Sequence, residues 1–138
     1  MVEVICDTSF LIHLATKQTR NIDSINTEIG QIEFVVPLVV LTELKNIIKR
    51  STKYRSDHDK FQSKNALKTL EFARNLKTIS ISGSYADKSG SYADKEIIEH
   101  VKKHGGIIGC MDKELKSRIK HLGGSIISFS NNKIVLES

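Results

Sequence analysis

The stretch Val4-Ile5-Cys6-Asp7-Thr8-Ser9 constrains this chain more than any other. An apolar run ends in a carboxylate, and an apolar helical pattern, Phe10-Leu11-Ile12-His13-Leu14-Ala15, follows at once. This reads as a buried strand turning into a helix, with Thr8 or Ser9 as the helix N-cap. In an open α/β sheet, ligands bind at the carboxyl ends of the strands. Asp7 is therefore the first candidate for chemistry, and the other acidic residues matter according to whether they can reach it.

Strand and helix patterns alternate along the rest of the chain. Ile22, Ile25 and Ile29 repeat at helical spacing before Gly30, and Phe34-Val35-Val36 is a second strand stopped by Pro37. A helix over Leu38 to Ile48 carries an apolar face of Leu41, Leu44, Ile47 and Ile48, with Glu43 in its early part. Lys49 to Lys60 is polar and basic and reads as a mobile loop. A long helix over Phe61 to Leu76 leads to a short strand containing Ile79 and Ile81. Residues 83 to 88, Gly-Ser-Tyr-Ala-Asp-Lys, recur at 90 to 95, a tandem duplication too short for a repeat architecture. The second copy runs into Ile97-Ile98-Val101, so Asp94 begins a helix and Asp87 falls in the preceding loop. Ile107-Ile108-Gly109-Cys110 is a buried strand followed by Asp112. A basic helix over Lys113 to Leu122, a strand over Ser125 to Phe129, an Asn131-Asn132 turn and a last extended piece, Lys133 to Leu136, complete the order. This alternation predicts one α/β domain over residues 1–138, its central, mostly parallel sheet covered by helices on both faces.

Composition narrows the class. The 138 residues suit a single domain with a real core. No apolar run approaches a membrane span, and no secretory signal pattern opens the chain. Cys6 and Cys110 lack zinc-pair spacing and read as buried free thiols of a reducing cytoplasm. None of the five histidines pairs with a cysteine at zinc spacing, although His100 and His104 lie one helical turn apart. The net charge of +5 favours a polyanionic partner.

Asp7, Glu43, Asp94 and Asp112 share one structural description: each lies at or just beyond the end of a strand, or in the first turns of a helix. A right-handed α/β wrap can bring all four to one edge of the sheet. Crowded carboxylates raise one another's pKa, and a divalent cation relieves that repulsion. Oxygen ligands suit Mg²⁺ or Mn²⁺, which polarise phosphoryl oxygens and acidify water, so phosphodiester hydrolysis is the chemistry served most directly. Taken singly, Asp7, Asp94 and Asp112 read more readily as helix caps and Glu43 as an ordinary solvated helix residue. Spacing shows that convergence is feasible, not that it occurs.

Four motifs, in order, resemble those of the PIN domain family of metal-dependent ribonucleases. They are Val4 to Ile12 with Asp7 and the following Thr-Ser, Pro37 to Leu44 with Glu43, Tyr92-Ala93-Asp94 leading into Ile97-Ile98, and Ile107 to Leu115 with Asp112. The last two, with Leu115 to Ile119 and Lys133 to Glu137, most resemble the archaeal and eukaryotic branch that acts in ribosomal RNA processing; VapC-type toxins form the other large branch. The resemblance implies an endoribonuclease in which Asp7, Glu43, Asp94 and Asp112 ligate Mg²⁺ or Mn²⁺. Water would attack in line and leave 5′-phosphate and 3′-hydroxyl ends. Ser9 would orient a ligand carboxylate, or else cap the helix. Glu114 would be an outer acidic group or a solvated helix residue. The chain departs from the family pattern at Cys110, where threonine is usual. The duplicated hexapeptide leaves Asp87 as an alternative third ligand. Lys95 stands where a second acidic residue is usual.

RNA is the partner this resemblance implies, single-stranded or structured. A second copy of the chain, an antitoxin or a ribosome-assembly protein are the further partners its branches admit. Lys49, Arg50, Lys53, Arg55, Lys116 and Arg118 are the candidates for backbone contact, and Tyr54, Tyr85 and Tyr92 for base stacking. A solvated basic face is the plain alternative. Three competing functions remain at this point: a toxin ribonuclease of a toxin–antitoxin pair, a non-catalytic RNA-binding assembly module, and a structure-specific DNA nuclease.

Overall fold

The structure is a computed structural model that describes residues 2–17, 30–53, 57–80, 92–131 and 133–137. In chain order its elements are β1 (Val2–Cys6), α1 (Thr8–Thr16), β2 (Ile32–Pro37), α2 (Leu38–Lys53), α3 (Asp57–Ala73), β3 (Lys77–Ile79), α4 (Tyr92–His104), β4 (Ile107–Gly109), α5 (Lys113–His121), β5 (Ser125–Ser130) and β6 (Lys133–Glu137). The strands form one sheet in the order β3-β2-β1-β4-β5-β6. All neighbours pair in parallel except β5 and β6, which turn back on each other at Asn131, a residue with φ 51. Asparagine tolerates that left-handed geometry better than most side chains.

β1 lies at the centre, flanked on both sides and covered on both faces. That is why its sequence reads as a continuous apolar run rather than an alternating one. Its side chains nevertheless divide by parity. Val4 and Cys6 join a core with Phe10, Leu11, Val40 and Leu44 on the side of α1, α2 and α3. Ile5 joins the opposite core with Ile97, Ile98 and Val101 of α4 and Leu115 and Ile119 of α5. The same switch occurs in β5, where Ile126 faces the second core and Ile127 the first. Complete burial of a side chain such as Phe10 or Leu44 contributes roughly 1.5–3 kcal/mol each. The expected mostly parallel sheet, with helices on both faces, is the architecture observed.

Register brings strand ends level. Cys6 pairs with Gly109, so β1 and β4 end side by side, and the Asp7 amide donates to the Gly109 carbonyl at 2.9 Å. Strand order reverses here: β2 and β3 extend from one side of β1, β4 and β5 from the other. This is the topological switch point, where open α/β sheets form a crevice.

Helix boundaries differ from the expected ones. Lys49 and Arg50 belong to α2, which continues to Lys53, and α3 begins already at Asp57. The span read as a basic loop is thus mostly helix. Lysine and arginine are good helix formers, and extending an existing helix is cheap once it is nucleated. β3 is only Lys77–Ile79, with Lys77 Nζ 2.9 Å from Glu3 Oε2 and 3.8 Å from Glu33 Oε1. The expected helix over Ile22 to Ile29, Ile81 of the expected strand, Asp87, Tyr54, Arg55 and Tyr85 lie outside the described residues. Among the described residues no helix is long and apolar enough to cross a membrane. Cys6 and Cys110 are free and buried, and burial pushes both thiols up.

Gly109 owes its identity to packing. A Cβ built there would stand 2.6 Å from Cδ1 of Phe10, whose ring stacks on Phe129 at a centroid distance of 4.9 Å. Gly109→Ala is expected to destabilise the fold by about 1–3 kcal/mol through overpacking, measured by urea or thermal unfolding. Wild-type stability in that variant would mean that the Phe10 ring yields freely.

Candidate active site

Asp7 is only 3% exposed. Its backbone leaves β1 in an extended conformation, and its side chain caps α1 by accepting from the Phe10 amide at 2.7 Å. The helical pattern offered Thr8 or Ser9 as the cap, and Asp7 taken singly was a cap candidate too. Asp7 takes that place because the turn from strand to helix is one residue tighter than the pattern suggested. Ser9 instead donates its hydroxyl to the Asp7 carboxylate, at 3.1 Å to Oδ1 and 3.3 Å to Oδ2. Burial pushes the Asp7 pKa up. The Phe10 amide, the Cys110 thiol and the Ser9 hydroxyl oppose that rise, and the charge of Asp112 adds to it.

Asp112 repeats the arrangement across the switch point. It caps α5, accepting from the Leu115 amide at 3.0 Å, while the Cys110 thiol donates to its carbonyl at 3.5 Å. Cys110, which departs from the usual threonine, thus lies beside both aspartates. Asp94 sits half-buried in the first turn of α4 and Glu43 half-buried on α2. The Asp94 pKa is raised to about 6, first by burial and then by the charges of Asp7, Glu43 and Asp112, with Arg118 opposing them. Folding therefore gathers the four acidic residues, drawn from β1, α2, α4 and the entry to α5, into one electrostatic neighbourhood.

This neighbourhood stops short of a closed ligand shell. Among the described residues no three His, Cys, Asp or Glu side chains stand close enough to hold one ion. Asp7 and Asp112 each spend an oxygen on a helix cap, so the capping and clustering readings hold together. All the candidate donors are carboxylate oxygens, and their mutual repulsion is what a hard divalent cation would relieve. That donor chemistry fits Mg²⁺ or Mn²⁺.

A surface depression of about 330 Å³ opens beside these residues, lined by Asp94, Lys95, Asp112, Glu114, Leu115 and Arg118. Arg118, expected as a backbone contact, is among the residues that line it. Lys116, expected in the same role, is held elsewhere: its Nζ lies 2.9 Å from Glu137 Oε2, and its side chain is only 19% exposed. Lys120 and the Ser128 hydroxyl complete that cluster, and together with Lys116 they hold the Glu137 pKa down at about 2. No sequence signal marked this cluster, because its members are brought together only when β6 turns back along β5. Lys49 and Arg50 are exposed on α2.

No family model matches the sequence, and no curated protein matches it. Among solved structures the chain is similar to the structure of the PIN domain endonuclease Utp24, with a TM-score of 0.69 and 24% identity over 98% of this chain and 90% of that one. It is also similar to a domain of a functionally unknown protein from Methanocaldococcus jannaschii DSM 2661, with a TM-score of 0.57 and 17% identity over 94% of this chain and 92% of that one. The PIN-like fold expected from the motifs is the fold of this chain.

The crowding of Asp94 has a thermodynamic consequence. Between its ordinary pKa of 3.8 and about 6, the folded state binds the proton that the unfolded chain releases. Stability therefore falls as pH rises through that window. Asp94→Asn is expected to flatten the slope and to stabilise the protein by roughly 1–2 kcal/mol at pH 7.5, read from thermal melts between pH 4 and 8. An unchanged slope in the variant would show that folding does not raise the Asp94 pKa.

Proposed function

We propose that residues 1–138 form one PIN-type nuclease domain, an endoribonuclease that requires Mg²⁺ or Mn²⁺. The observation that carries this reading is geometric: β1 and β4 end side by side at the switch point and release Asp7 and Asp112 there, and Asp94 and Asp112 line one depression. The four motif matches and the fold shared with a PIN domain endonuclease support it.

In this reading Asp7, Glu43, Asp94 and Asp112 hold the cation. When bound, it supplies charge neutralisation and Lewis-acid polarisation at the phosphodiester and its attacking water. The chain's own residues prepare the place. The Phe10 amide and the Ser9 hydroxyl fix the Asp7 carboxylate before any ligand arrives. The Leu115 amide does the same for Asp112. Arg118, which lines the depression, provides a guanidinium suited to a phosphate oxygen. Among the described residues no separate side chain is evident as general acid. The resemblance of the late motifs to the archaeal and eukaryotic branch makes ribosomal RNA precursors the first substrates to try.

Asp7→Asn and Asp112→Asn are expected to reduce Mn²⁺-dependent cleavage of single-stranded RNA to below about one hundredth of wild type, since ligand loss should exceed the loss of an orienting partner. Both variants should stay folded, because asparagine caps helices about as well as aspartate. Cleavage by purified Asp7→Asn protein at the wild-type rate would sink the assignment. A parallel DNA substrate tests the nucleic-acid class.

Ser9→Ala is expected to lower cleavage by roughly tenfold while Ser9→Thr retains most of it, measured as single-turnover rates. Independently of activity, Mn²⁺ should raise the melting temperature of the wild type at pH 7.5 and do so far less for Asp94→Asn. Equal shifts in the two proteins would remove Asp94 from the ligand set.

A further inference from the structure

Helices α4 and α5 pack side by side on one face of the sheet, and both begin at its carboxyl edge. A groove runs between them. At its upper end lies the acidic depression containing Asp94, Asp112 and Glu114. Further along is a second depression of about 340 Å³, lined by Ile98, Lys102, Ser117, Arg118, His121 and Leu122. Helical spacing explains the alignment: Asp94, Ile98 and Lys102 follow one another at four-residue steps on α4, as do Glu114 and Arg118, and Ser117 and His121, on α5. Arg118 lines both depressions.

Basic residues in the last turns of helices have an ordinary explanation, since they complement the helix dipole. That explanation does not account for their direction. Lys102 from one helix and Arg118 and His121 from the other line a single concavity, together with Ser117 and the apolar Ile98 and Leu122. Lys103 and Lys113, equally basic, do not line it. Lys102 is 3.4 Å from Glu99 Oε1, but the lysine side chain is 52% exposed, and an exposed ion pair of this kind is weak and easily exchanged for a better anion.

We infer that the basic depression between α4 and α5 receives a phosphate of the RNA strand beyond the scissile one, with Arg118 lying between the two phosphates. The inference rests on the nuclease reading above and adds to it the direction in which the substrate leaves the crevice. The strand would run along the α4–α5 groove, its backbone on Lys102, Arg118, Ser117 and His121, passing from the acidic end to the basic one. Contacts of this kind give affinity without reading bases.

The test uses the full chain and a short single-stranded RNA, with binding measured in Ca²⁺ or EDTA across a salt series and cleavage measured in Mn²⁺. The double variant Lys102→Ala/His121→Ala is expected to raise KM about tenfold with kcat within about twofold, and to reduce the slope of log affinity against log salt by about one. Lys102→Glu should weaken binding further, and Lys102→Arg should restore it. Lys103→Glu, one position away and outside the depression, should leave KM within about twofold of wild type although it changes net charge as much as Lys102→Glu does. Matching thermal melts exclude unfolding. If the wild type cleaves but the double variant keeps its KM and salt slope, or if Lys103→Glu weakens binding as much as Lys102→Glu, the groove assignment is wrong and the nuclease reading survives. If the wild type neither binds nor cleaves RNA, the nuclease reading fails and takes this inference with it.

Discussion

The pairing of β1 with β4 is the constraint on which the candidate site depends. Because Cys6 lies opposite Gly109, the two strands stop at the same level and release Asp7 and the Cys110-Met111-Asp112 segment at one edge. A slip of one residue in that register would turn Val4 and Cys6 away from the α1 side and carry the Asp7 side chain to the other face of the sheet. Apolar packing prevents the slip. Ile5 and Ile108 are committed to the α4–α5 side, while Phe10 fills the space that Gly109 leaves on the other. Hydrophobic burial on both faces thus fixes where the charges go, against their mutual repulsion.

The charges themselves oppose folding. Asp7 is buried and Asp94 half-buried; beyond burial itself, the charge of Asp112 raises the pKa of Asp7, and the charges of Asp7, Glu43 and Asp112 raise that of Asp94. Short-range donors offset part of that cost. The Phe10 and Leu115 amides are the free donors that any helix start offers, and here they are aimed at carboxylates. A residue that caps a helix and a residue that faces a shared crevice can therefore be the same residue: the two readings of Asp7 and of Asp112 were never exclusive, whereas Asp94, also read as a cap, lies inside the first turn of α4. Positioning by backbone amides also leaves the side chains of Ser9, Cys110 and Arg118 available for finer adjustment.

Much of the architecture was legible in the sequence because parity and helical periodicity are local properties. The Val4 to Ala15 transition and the Ile97-Ile98-Val101 helix face lie where the pattern put them. The Lys49 to Lys60 stretch was misread because polarity was taken for a loop, when lysine and arginine serve equally well on the outside of a helix. That Asp7, Glu43, Asp94 and Asp112 could gather was legible from their order, but whether they meet depends on strand order, which no local pattern encodes. The Ser9 hydroxyl could be named in advance with two roles and not resolved between them. The Glu137 cluster was invisible, since it joins an edge strand, a neighbouring strand and a helix through side chains that each look like ordinary surface residues.

That cluster links distant parts of the molecule. Glu137 holds Lys116, whose own backbone amide donates to the Asp112 carbonyl at 2.9 Å in the first turn of α5. The closing strand therefore acts as a brace on the helix that carries both Asp112 at its head and Arg118 along its side. Sequence variation at position 137 would be transmitted mechanically to the crevice without altering any residue that lines it.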